Sequence, residues 1–211
     1  MSGAPKSVAG EDRLSLLLVG VGGQGVLTTA KILGTAAQES GVPVVVGQLH
    51  GMSQRGGSVE CTVLLGPGES SFLIGDADVV VGFEPLELLR ALPRVGRATS
   101  VLATSSTITP WAFASAGDAY PPVEELLQPV EQAAARLTRI DGPALVREAG
   151  ERRSLNMVML GALAGLSVLP FDGEALWRAA GHELSPRYRE SNRKAFELGL
   201  EASALRGNGD G

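Results

Sequence analysis

Residues Leu14 to Gly20 read LSLLLVG, a run apolar apart from Ser15 that gives way at once to Gly20-Val21-Gly22-Gly23-Gln24-Gly25. Apolar side chains without alternation predict a strand buried on both faces, which requires a parallel-type sheet covered by helices on either side. Behind the glycines, Val26, Leu27, Ala30, Ile32, Leu33, Ala36 and Ala37 recur close to helical spacing, and the run stops at Gly41, a residue suited to ending a helix. Strand, tight turn and helix in this order confine the chain to the α/β classes.

The rest of the chain repeats the alternation. Strands are predicted at Val42–Val46, Ser58–Leu65 (SVECTVLL), Asp78–Phe83, Ala98–Ala103 and Leu137–Asp141. Glu84-Pro85 opens a helix with Leu86, Leu88, Leu89 and Leu92 inward, the proline lying in the first turn where it is tolerated. Thr104–Pro122 lacks periodicity and reads as an extended surface segment ending in Tyr120-Pro121-Pro122, before a helix at Val123–Ala134. Helices then follow at Ala144–Ala149, Leu155–Leu166, Gly173–Ala180 and Arg187–Leu205. The expectation is an α/β fold: a doubly wound, mostly parallel Rossmann-like sheet with a helical C-terminal part, meeting ligands or partners at the carboxyl ends of its strands. Residues 14–205 form one domain in this reading, between flexible tails at 1–13 and 206–211.

Charge and cysteine usage narrow the function. Lys plus Arg number 18 against 23 Asp plus Glu, so no basic footprint for nucleic acid or an anionic membrane is present. The longest apolar candidate, Met157–Leu169, is broken by Gly161, Gly165 and Ser167 and falls short of the roughly 20 residues a membrane span needs. No apolar segment follows Lys6 as a secretion signal would require, so a cytoplasmic chain is expected. Cys61 is the single cysteine, which rules out an internal disulfide and the set of thiolates an iron–sulfur cluster takes. Any such cluster is therefore expected in a partner.

The glycine turn matches G-x-G-x-x-G between a strand and a helix, where backbone N–H groups and a helix N-terminus can meet a pyrophosphate. Its usual companion is missing. The second strand should end in an acidic residue for the ribose, yet Val44–His50 reads VVVGQLH, with no Asp or Glu and no Arg for a 2′-phosphate. Gln24-Gly25-Val26 also stands where a phosphate-binding loop would need Gly-Lys-Ser/Thr. A free-standing nucleotide-binding or regulatory module built on this turn remains as the alternative to a purely structural turn.

A second motif is more specific: His50-Gly51-Met52-Ser53-Gln54-Arg55-Gly56-Gly57-Ser58-Val59 carries several polar side chains, three glycines and no apolar period, and reads as a shaped loop. Together with Gly20–Gly25 it resembles the small (beta) subunits of indolepyruvate ferredoxin oxidoreductases, in the 2-oxoacid:acceptor oxidoreductase gamma-domain superfamily. Further agreement runs through Gly75-Asp76-Ala77-Asp78, Gly82-Phe83-Glu84-Pro85-Leu86-Glu87, Tyr120-Pro121, Asn156–Ala162 and Asn192–Phe196. The resemblance implies a domain that completes the active site of a large (alpha) subunit, which holds thiamine diphosphate, Mg and [4Fe-4S] clusters. It implies oxidative decarboxylation of an arylpyruvate with CoA, giving an arylacetyl-CoA, CO2 and reduced ferredoxin. The thiamine signature of such enzymes begins Gly-Asp-Gly, and here that string occurs only in the tail, at Gly209-Asp210-Gly211.

Candidate residues facing substrate, cofactor or partner are Gly22, Gly23, Gln24, Gly25, His50, Ser53, Gln54, Arg55, Gly56 and Gly57. Arg55 offers a permanent positive fork for a carboxylate or phosphate, with amides of Gly56 and Gly57 beside it; a salt bridge to the large subunit is the rival reading. His50 either moves protons near neutral pH or serves as a structural hydrogen-bonder. Gln24 either donates to a ligand or caps the helix. Met157–Leu160 reads as a buried helix, whose Gly161, Ala162, Ala164 and Gly165 invite close approach by another element, a partner helix included.

Overall fold

The computed structural model describes residues 13–50, 57–67, 75–109 and 119–207. Six strands alternate with helices along the chain: β1 (Leu14–Val21), α1 (Val26–Glu39), β2 (Val44–His50), β3 (Ser58–Leu65), β4 (Val79–Gly82), α2 (Pro85–Arg90) and β5 (Ser100–Thr104). Then come α3 (Val123–Ala133), β6 (Arg136–Ile140), α4 (Gly142–Ala149), α5 (Leu155–Gly165), α6 (Gly173–Ala180) and α7 (Arg189–Gly207). The last helix takes in residues 206 and 207, which the expected C-terminal tail had included.

The strands lie in the order β2-β3-β1-β4-β5-β6. β1, β4, β5 and β6 pair in parallel, whereas β3 runs antiparallel to both β1 and β2. Five strands thus point one way and β3 the other. β2 is longer than expected and begins later: cross-strand pairing from Val44↔Leu65 to His50↔Val59 carries Gly47, Gln48 and Leu49 into the ladder. His50, assigned from sequence to a loop, therefore ends a strand, and Ser58 and Val59, which the loop motif and the predicted strand shared, belong to β3, because backbone pairing outweighs the weak strand preference of Gly and Gln. The connection between β2 and β3 narrows to residues 51–57, a hairpin length.

Alternation within β1 separates two cores. Leu16 and Leu18, with Cys61, Val63, Val79 and Val81, pack against α1, α5, α6 and α7; Leu17 and Val19, with Val80 and Val101, pack against Leu88 of α2 and Leu127 and Val130 of α3. Burial of both faces explains why LSLLLVG reads as apolar text without alternation.

α5 is buried around its circumference from Met157 to Leu163. The small residues that invited a neighbour receive this chain's own α7: a Cβ on Gly161 would sit 1.9 Å from the carbonyl oxygen of Phe196, and one on Gly199 would sit 2.0 Å from that of Val158. Glycine on both helices lets the backbones touch. Among the described residues no helix is long and apolar enough to cross a membrane.

Candidate functional site

Parallel strands deliver their following loops to one end of a sheet, and the glycine turn, the end of β4 and the start of β3 meet there. The backbone N–H of Gly22 donates to the carbonyl of Gly57 at 2.9 Å. Val21 pairs with Ser58 in the ladder just below, so the turn and the hairpin are stitched together at their bases. Glycine is needed at position 25, where φ is +84° and a side chain would meet Asn156 Cβ at 2.7 Å. Gly25 is the N-cap of α1 and supplies no side-chain cap, and α1 has no acidic residue in its first turn. The start of α1 therefore has neither a capping side chain at Gly25 nor a first-turn acid of its own to offset its partial positive charge.

Gln24 has a defined internal job. It is 7 % exposed; its Oε1 accepts from Val21 N–H at 2.8 Å and its Nε2 donates to the carbonyl of Phe83 at 2.7 Å. Both ends of the amide are committed to backbone, so it shapes the turn and ties it to β4. Gly23, by contrast, is exposed, with φ +105° and open space around it. Gly57 is half-buried and bonded to Gly22. His50 enters through its backbone alone as the last residue of β2, and Ser53, Gln54, Arg55 and Gly56 lie outside the described residues.

Three further residues that gather at this end of the sheet are Asn156, Ser154 and Glu84, of which sequence reasoning passed over Ser154 as a site candidate. Asn156, half-buried in the first turn of α5, packs against Gly25, so the N-termini of α1 and α5 meet. Ser154, the N-cap of α5, makes no side-chain capping bond, and exposed Arg152 and Arg153 precede it. The clue was a polar residue directly ahead of Met157–Leu160. Glu84 caps α2 by accepting from Glu87 N–H at 3.0 Å, and also accepts from Ile108 N–H at 3.3 Å and the Tyr120 hydroxyl at 2.5 Å. Burial and that hydrogen bond push the Tyr120 phenol above the ordinary tyrosine range. An acidic residue before a helix-opening Pro85 signalled the cap; nothing local signalled Tyr120.

Second-strand position explains the missing ribose acid. In a dinucleotide fold β2 lies beside β1, so its end reaches the ligand. Here β3 occupies that place, and the end of β2 stands two strands away, about 10 Å at ordinary strand spacing. An acid in VVVGQLH would have been misplaced for a nucleotide on the turn.

The donor set also bears on cofactors. Cys61 is 0 % exposed in β3, and burial, followed by the Glu60 charge, pushes its thiol up to about 11. A protonated, enclosed thiol does not fit a cluster ligand. Among the described residues no group of three or more His, Cys, Asp or Glu is placed to hold a metal.

Turn, reversed strand and helical layer together define a Rossmann-like α/β domain. Its fold matches the gamma subunit of a keto/oxoacid ferredoxin oxidoreductase from Geobacter sulfurreducens with a TM-score of 0.69, at 22% identity, over 93% of this chain and 99% of the other. It also matches the 2-oxoglutarate:ferredoxin oxidoreductase of Magnetococcus marinus at 0.71 and 19% identity, over 93% of this chain and 32% of that longer one. Residues 15–202 match the family described as pyruvate ferredoxin/flavodoxin oxidoreductase. The chain is 37% identical over 191 residues to the indolepyruvate oxidoreductase subunit IorB of Methanothermobacter thermautotrophicus, covering 90% of this chain and 97% of that one. To the subunit of the same name from Pyrococcus horikoshii it is 35% identical over 192 residues, with 90% and 95% covered. The chain belongs to the pyruvate ferredoxin/flavodoxin oxidoreductase family. Within it, this is a subunit of a ferredoxin-linked 2-oxoacid oxidoreductase, as the resemblance in the two motifs implied.

Proposed function

We propose that this chain is the small subunit of a cytoplasmic indolepyruvate:ferredoxin oxidoreductase, acting with a large subunit on indolepyruvate or other arylpyruvates. The observation that carries the reading is agreement with the named subunits over about nine-tenths of the chain, at 33% to 37% identity. In the overall reaction the 2-oxoacid loses its carboxylate as CO2, CoA takes the remaining acyl group as a thioester, and two electrons pass to ferredoxin.

Thiamine diphosphate, Mg and the [4Fe-4S] clusters belong to the large subunit in this reading, and the enclosed Cys61 thiol of this chain does not fit a cluster ligand. Thiamine provides the nucleophile and electron sink for decarboxylation. This chain contributes one wall of the shared site. The uncapped start of α1, the adjoining start of α5 and Arg152 and Arg153 make that wall electropositive, although the chain as a whole carries a charge of −5. Arg55, in the hairpin anchored to Gly22 through Gly57, is assigned to orient an anionic group, the substrate carboxylate or a phosphate of CoA or thiamine diphosphate. His50 and Ser53 to Gly57 form the rest of the wall.

Reconstitution with the large subunit tests this. Indolepyruvate and phenylpyruvate should turn over well ahead of pyruvate, and only with CoA. A large subunit that is fully active alone, or that never binds this chain, would sink the proposal.

A further inference from the structure

Glu84 is a buried carboxylate to which the site above gives no chemistry. It is 1 % exposed, and its three donors among the described residues are neutral: Glu87 N–H on Oε2, with Ile108 N–H and the Tyr120 hydroxyl on Oε1. Only a group that accepts at both oxygens satisfies all three, since a glutamine would turn its NH2 toward a donor. Capping α2 requires the Glu87 contact alone. The other two bonds fasten both legs of the connection between β5 and α3, Ile108 on the way out and Tyr120 on the return.

Phe83, one residue earlier, faces the glycine turn. Its N–H donates to the carbonyl of Val19 at 2.8 Å, and its own carbonyl accepts from Gln24 Nε2, whose Oε1 in turn holds Val21 N–H. A continuous path therefore runs from the turn across the end of β4 to Tyr120. Gln24, Phe83 and Glu84 are all buried, so its bonds lie in a low-dielectric interior and are costly to break singly.

We propose that Glu84 is a positioning residue for the wall this chain presents to its large subunit, holding the glycine turn and the β5–α3 connection in one fixed relation. The inference rests on the reading that this end of the sheet faces the shared site. Its physical content is a coupling: releasing Tyr120 loosens the glycine turn.

Amide hydrogen exchange on the full chain with Tyr120→Phe measures that coupling directly. The expected result is at least fivefold faster exchange at Val21 and Gln24, with the β4–β5 ladder unchanged. Turn amides that stay at the parent rate, or a uniform acceleration across the whole sheet, overturn it. In the reconstituted complex, Gln24→Met and Tyr120→Phe should each lower kcat/KM, and the double variant should lose no more than the worse single one, as groups acting as a unit do. Losses that multiply also overturn it. A parent chain that forms no active complex counts against the proposed function, while the exchange result still decides the role of Glu84.

Discussion

Gly22 gives its backbone N–H to the carbonyl of Gly57, and this 2.9 Å bond joins the mouth of α1 to the hairpin that contains Arg55. The two motifs that stand out in the sequence are thereby parts of one structure. β3, reversed and inserted between β1 and β2, makes the bond possible.

Arg55→Ala separates a site wall from a scaffold. A lost charge-assisted contact of about 1.5–3 kcal/mol corresponds to a fall in kcat/KM of roughly 10- to 150-fold. Affinity for the large subunit should change by less than about twofold on that same premise. Unaltered kinetics with weakened assembly, measured by titrating one subunit against the other, would assign the arginine to the interface alone.

Gln24→Ala strands Val21 N–H and the Phe83 carbonyl in the interior. Each orphaned group costs about 1–3 kcal/mol, so urea unfolding should show a loss of about 2–6 kcal/mol. Gln24→Glu should behave differently with pH. A protonated carboxyl can donate to Phe83 and an ionised one cannot, so this variant is most stable at low pH and loses stability as pH rises through its native titration. A pH-independent deficit would contradict the assigned bond.

Gly161→Ala and Gly199→Ala press a methyl group into a carbonyl oxygen across the α5–α7 contact. Overpacking of this kind costs about 3 kcal/mol, a fall of roughly 6–12 °C in Tm for a domain of this size. Gly23→Ala meets open space at φ +105°, and backbone strain of about 1–2 kcal/mol is its only cost. Thermal melts should place both Gly161→Ala and Gly199→Ala below Gly23→Ala.

Tyr120 predicts an alkaline limit. Its native titration is raised by burial and by Glu84, so its contribution to stability is fully present below the unfolded value of about 10 and is lost as pH rises through the native value. Tyr120→Phe should be less stable at pH 8 and show a flatter decline above pH 10 in chemical unfolding. Parallel slopes for both proteins would count against the linkage.

Cys61 should resist alkylation in the folded chain at pH 8, because its thiol is enclosed and pushed up to about 11. Labelling should proceed at the unfolding rate and accelerate with urea. Rapid modification without denaturant would show that β3 opens locally.

Element identity was largely legible in the amino-acid text, for reasons visible at single residues. β3 follows the Ser58–Leu65 alternation to the residue, and α6 matches Gly173–Ala180, since Asp172 caps it and its inward face repeats at helical spacing. β2 was less legible: Gly47 and Gln48 are poor strand formers, and only pairing with β3 holds them extended. That misreading lengthened the apparent loop and hid the hairpin. The site was legible as two motifs and not as one place.

Local chemistry alone determined that this chain is an α/β domain with a glycine turn at a helix mouth, a single cysteine and no complete cofactor signature. Periodicity, turn residues and composition act over a few neighbours, so they speak through sequence directly. The tertiary structure decided the strand order, the reversal of β3, the use of both ends of Gln24 and the choice of α7 as the partner of Gly161. Each of those depends on which distant backbone atoms come within hydrogen-bonding or van der Waals reach, and residues such as Gln24 and Phe83, 59 positions apart, meet only when the sheet has formed.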